Sequence, residues 1–147
     1  MNPILNPFIA LDRFVRISAA VSALFYLSSC SLFQGVTRYD PVTYKNFTDL
    51  KPELGLLYDS FAVEGAPDQE KIAAFRLKLD QMVEYEKGKG EKNVRTARQV
   101  ENIQKLFERH VEDRTRGTWN PTHLGNQKQT ILEALDLAIE TEQTKNK

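Results

Sequence analysis

The chain has 147 residues, of which 41% are apolar, 20 are basic and 20 are acidic. That length suits one domain with a single core, and the balanced charge argues against a chain that holds nucleic acid through a general positive field. Cys30 is the only cysteine, so no disulfide framework can hold the fold, which must rest on packing.

Near the N-terminus, Arg13 and Arg16 precede an uncharged run from Ile17 to Leu27 (ISAAVSALFYL) that closes on Ser28 and Ser29. Basic, apolar and small-residue segments in that order are the three parts of a secretory signal. A membrane-spanning helix takes ~20 apolar residues, and Asp12, Arg13, Pro3 and Pro7 stop this run from extending, so a permanent span is not expected. Leu27, Ser28, Ser29 and Cys30 then fit, position by position, the lipobox of bacterial lipoproteins, and the segment resembles their precursors. The resemblance implies that the Cys30 thiol takes diacylglycerol, that the chain is cut just before it, and that the new amine is often acylated too. Two or three acyl chains, at ~0.8 kcal/mol per buried methylene, would hold the protein almost permanently. Ser31 stands where that family carries an aspartate in proteins kept at the inner membrane. In a cell with two membranes this implies the outer one, facing the periplasm. Residues 1–29 are thus expected to be a cleaved signal, 30–41 a lipid-anchored tether and 42–147 a helical domain. Setting aside Asp12, Arg13 and Arg16 leaves 18 basic and 19 acidic residues, a net charge of −1.

Ser31 to Pro41 shows no sustained period and reads as the tether, followed by an aromatic lead-in through Tyr44 and Phe47. Helix one is expected from about Asp49, with Leu50, Leu54, Leu57, Tyr58 and Phe61 at helical spacing and Pro52 in its first turn. Gly65 and Pro67 close it. Asp68 is a natural N-cap for a second helix with the stripe Ile72, Phe75, Leu79, Met82 and Val83, stopping at Gly88 and Gly90. A capping box of Thr96 and Gln99 is expected to open a third, with the stripe Val100, Ile103, Phe107 and Val111 before Gly117. Asn120-Pro121 fits the N-cap and first residue of a fourth, which carries Leu124, Ile131, Leu132, Leu135, Ala138 and Ile139. No alternating run is long enough for a strand. Four amphipathic helices with short connections predict an all-α fold, an antiparallel up-and-down four-helix bundle.

That topology places the tether, the turn between helices two and three, and the C-terminus at one end. The turn carries Lys87, Lys89, Lys92, Arg95 and Arg98, which are candidates to face anionic headgroups, or else form a solvated loop. The opposite end gathers the loop from Val63 to Pro67 with Arg114, Arg116, Trp119 and His123. Arginine and aromatic residues together are enriched at binding hot spots, so these four are the candidate partner-binding residues; the alternative is that Trp119 merely caps the end of the bundle. Arg114 falls on the apolar stripe itself and is expected either to pair with a carboxylate or to reach solvent.

Catalytic signatures are missing. Phe107 and Asn120 stand where a di-iron bundle needs glutamates before His110 and His123, and the two histidines are too far apart for an adjacent-turn zinc pair. A haem held by Met82 and His110 is disfavoured against Met82 as core filler and His110 as a packing residue. Glu133, Asp136 and Glu140 share one face of helix four, but that face opposes the apolar stripe and is expected to meet water instead of raising a catalytic pKa. No catalytic residue, metal or cofactor is assigned. The partners expected are the membrane, through acylated Cys30, and an envelope protein, with no nucleic acid. The function expected is binding or scaffolding in the cell envelope; the alternatives are an envelope enzyme acting on cell-wall material and, behind it, a metal or haem carrier.

Overall fold

The computed structural model describes residues 38–145. The signal segment, Cys30 and most of the tether lie outside the described residues. Within them every regular element is helical: α1 (Pro41–Ser60), α2 (Gln69–Gly88), α3 (Val94–Arg116) and α4 (Pro121–Gln143), with one 3-10 turn, Glu91–Asn93, leading into α3. Each helix packs on its neighbours in sequence and α4 closes on α1, so α1 and α3 face each other across a diagonal. This is the up-and-down four-helix bundle that the apolar stripes predict. Its lower end holds the start of α1, the end of α2, the start of α3 and the end of α4; its upper end holds the other two connections.

The helices begin where side chains satisfy backbone N–H groups that have no partner inside the helix. Asp68 accepts from the N–H groups of Glu70 and Lys71, both at 3.1 Å, and Asn120 accepts from that of His123 at 2.8 Å. The Asp40 carboxylate does the same for Val42 at 2.8 Å, with Pro41 in the first helical position. Helix α1 therefore starts eight residues earlier than the stripe suggested. Pro41, Thr43, Tyr44 and Phe47 belong to the helix and not to a tether or lead-in, and Pro52 lies in its interior on an exposed position. The expected capping box also fails. The α2–α3 connection turns at Gly90, whose φ of +80° is accessible to glycine at little cost, and α3 begins before Thr96. Thr96 is buried inside the helix with its hydroxyl unpartnered, while the Gln99 amide reaches the Thr141 hydroxyl on α4 at 2.8 Å.

The core is one continuous cluster along the bundle axis. Leu50, Leu54 and Leu57 from α1 meet Ile72, Phe75 and Leu79 from α2, Val100, Ile103 and Phe107 from α3, and Ile131, Leu135 and Ala138 from α4, all buried. Truncating such a side chain to alanine costs ~2–5 kcal/mol, so these positions dominate the stability. Among the described residues no helix is long and apolar enough to cross a membrane.

Candidate functional site

The core runs into an aromatic cluster at the upper end and gives way to buried polar and charged side chains at the lower one. At the lower end two carboxylates are buried, Glu86 and Glu142. Glu86 accepts from the Thr43 hydroxyl at 2.6 Å, from the Asn93 amide at 2.6 Å and from Lys89 at 3.0 Å. Glu142 accepts from Lys145 at 2.5 Å and from the Asp40 N–H at 2.7 Å. Lys145 also lies 3.4 Å from the Asn93 side-chain oxygen, which joins the two halves. Lys89 reaches Asp40 at 2.6 Å and sits 4.3 Å from the centre of the Tyr85 ring. Burial alone would raise the Asp40 carboxyl, but hydrogen bonds from Lys89, the Val42 N–H and Tyr85 outweigh it and hold the group down at about 2. Burial works against the Lys89 cation in the same way, and the bonds to Asp40 and Glu86 reverse it, raising the ammonium above its ordinary value. Every buried charge here has an opposite charge in contact, the condition under which burying ions is tolerable.

The upper end is aromatic. Tyr58, Phe61, His110, Trp119 and His123 pack ring on ring, with centroids 5.0 to 6.3 Å apart. His110 is buried, with Nδ1 2.7 Å from the Tyr58 hydroxyl oxygen. Burial, helped by the nearby Arg109 cation, pushes its imidazole down to about 4, and burial raises Tyr58 well above its ordinary value. Asp113 accepts from the Trp119 indole at 3.0 Å and lies 2.9 Å from His123 Nε2. The hydrogen bond with His123 is the main cause that holds the Asp113 carboxyl below its usual range.

The candidate residues fall on these two ends unequally. Arg114, expected to pair with a carboxylate or to reach solvent, does neither and is 2% exposed. It donates to the backbone carbonyls of Phe61, Val63, Gly65 and Gly117 at 2.7 to 3.3 Å, fastening the α1–α2 and α3–α4 connections together. Trp119 is buried in the core cluster, His123 is half-buried, and Arg116 is exposed and paired with Glu112. In the basic turn, Lys89 folds inward and Lys87 pairs with Glu101 at 3.0 Å. Lys92, Arg95 and Arg98 remain exposed. No family model, curated protein or solved structure matches the chain.

Among the described residues, the buried ionisable groups named at the two ends all have hydrogen-bond or ion-pair partners. The oxygens of Glu86 and Glu142 are taken by lysines, by Asn93 and by hydrogen bonds from α1. Glu133, Asp136 and Glu140 are exposed, and Asp136 pairs with Lys51. Among the described residues no three His, Cys, Asp or Glu side chains gather as metal ligands. An open cleft of about 380 Å³ runs between α1 and α2 above Leu50 and Met82, with the Lys78–Glu53 ion pair across it. The lower network was missed from sequence because its partners lie up to 102 residues apart. The position of Glu142, at helical spacing after Ile131, Leu135 and Ala138, was the signal that it is buried.

Proposed function

We propose that the chain is a lipid-anchored protein of a bacterial envelope, held through Cys30, whose helical bundle serves as a non-catalytic binding or scaffolding module for an envelope protein. The observation that carries this is the match of Leu27-Ser28-Ser29-Cys30 to a lipobox only ten residues ahead of Asp40, the cap of the bundle's first helix. With the proposed cleavage just before Cys30, the whole bundle, which begins at Asp40, lies in the mature chain and outside the membrane. Ser31 after the cysteine favours the outer membrane, facing the periplasm, where the cell has one.

The bundle's ends support a module that presents surface instead of performing chemistry, since their buried ionisable groups are engaged with one another. Growth with an alkyne analogue of palmitate tests the anchor. The full chain is expected to take the label and Cys30→Ser to lose it; absence of label from the wild type, or equal label in the variant, overturns the proposal.

A further inference from the structure

The structure divides the charges of α3 into those that are matched and those that are not. All four of its acids are engaged: Glu101 by Lys87, Glu108 by Arg76 at 2.8 Å, Glu112 by Arg116, and Asp113 by Trp119 and His123. Of its six cations, Arg114 is buried on carbonyls and Arg116 is taken by Glu112. Arg95, Arg98, Lys105 and Arg109 are exposed, and among the described residues none of these four makes a hydrogen bond or an ion pair. Glu101 feels Arg98 and Lys105 only at longer range, after Lys87. At intervals of three, seven and four residues the four cations fall on one helical face, opposite Ile103 and Phe107, as a straight ridge about 21 Å long. Lys92 stands exposed just below it.

We propose that this α3 ridge lies against the anionic headgroups of the membrane that carries the anchor, so that the domain rests on its side and does not stand on the α2–α3 turn. This rests on the lipid anchor proposed above. The ridge is straight and lies on a convex helix, which suits a planar array of phosphates, whereas a flexible strand would need a groove to follow. The near-neutral chain supplies no long-range field for a soluble polyanion, so the ridge gains its partner by being held next to it. The length of chain permits the contact. α1 is diagonal to α3, so with α3 down Asp40 stands about 20 Å above the surface, for helix axes 8–10 Å apart. The ten residues from Cys30 to Asp40 span at most about 35 Å. The end-on arrangement keeps only three of the five turn cations, because Lys89 and Lys87 are committed to carboxylates, and it leaves Lys105 and Arg109 away from the surface.

The test is lysine footprinting of the full lipidated chain in vesicles of phosphatidylcholine with and without phosphatidylglycerol, using a water-soluble acylating reagent read by mass spectrometry. Lys105 and Lys92 are expected to lose about ten-fold in labelling when the anionic lipid is present and to regain it in high salt, at a cost to binding of several-fold per cation. Lys45, exposed on the diagonally opposite α1, should not change. Replacing Arg95, Arg98 and Arg109 by Gln should abolish protection of Lys92 and Lys105. Equal labelling of Lys105 on both vesicles overturns the proposal, as does protection by added soluble polyphosphate but not by vesicles. Flotation with vesicles of phosphatidylcholine alone, compared with Cys30→Ser, reports the anchor separately, so loss of the anchor and loss of the ridge contact are told apart.

Discussion

Lowering the pH from 7 to 5 should destabilise the bundle through a single buried group, His110. In the unfolded chain its imidazole titrates near the ordinary 6.5, and in the bundle it is held to about 4. Above pH 6.5 both states are neutral and the full stability is present. As the pH falls toward 4 the unfolded chain takes up a proton that the folded chain refuses, and stability is lost; below that point both are protonated and the loss levels off. The whole window is worth about 3 kcal/mol at 1.36 kcal/mol per pH unit, and the step from pH 7 to 5 about 2 kcal/mol. Asp40, Asp68 and Asp113 are shifted in the direction that makes them matter only below their ordinary 3.8, outside this window. Urea unfolding followed by circular dichroism is the assay, with fluorescence of Trp119, the only tryptophan, as a local probe of the same end. His110→Gln keeps a polar partner for Tyr58 without a titrating ring and should flatten most of the dependence. An unchanged wild-type midpoint from pH 7 to 5, or a variant that retains the whole decline, would refute the assignment to His110.

Three further substitutions probe the two ends. Lys145→Met strands the buried Glu142 carboxylate and should cost ~3–5 kcal/mol by urea midpoint, while adding Glu142→Leu should recover most of that loss, because the isolated charge is what is expensive. Arg114→Lys keeps the charge but cannot spread its donors over four carbonyls. It should lose ~2–3 kcal/mol and speed amide exchange in residues 61–66, and exchange as slow as in wild type would show that the fastening lies elsewhere.

The stripes of α2, α3 and α4 were legible because a period of 3.6 is printed directly in Ile72 through Val83, Val100 through Val111 and Ile131 through Ala138. The first turns of α1 were not, since they bury only Thr43 and Phe47 before the periodic run begins. Yet Asp40-Pro41 is the same kind of cap-and-proline signal as Asn120-Pro121, which did mark α4 correctly. Thr96 and Gln99 misled for the opposite reason: a threonine three residues before a glutamine is as compatible with a helix interior as with a capping box, and only the φ of Gly90 and the one-turn 3-10 segment set where α3 starts. For Arg114 and Glu142, burial was written in the spacing but the partner was not. Backbone carbonyls and a lysine from the last turn become partners only when distant loops and termini have been brought together. The α3 ridge was half visible, as Arg95 and Arg98; Lys105 and Arg109 joined it once the acids of α3 were seen to be matched to other residues.

The ionic network lies where the chain enters the first helix of the bundle. A terminal helix turn usually frays, because its backbone groups exchange freely with water unless something ties it down. Here α1 is capped by Asp40, whose N–H is held by Glu142 of α4 and whose carboxylate is held by Lys89 and Tyr85 from the end of α2. One turn later Thr43 is held by Glu86, which Asn93 links to the start of α3. Peeling the first turn of α1 would therefore uncover the buried Glu86 and Glu142 and take the Thr43 hydroxyl from one and the Asp40 N–H from the other, a cost larger than that of one hydrogen bond. A load applied through the N-terminal segment is in this way shared among all four helices.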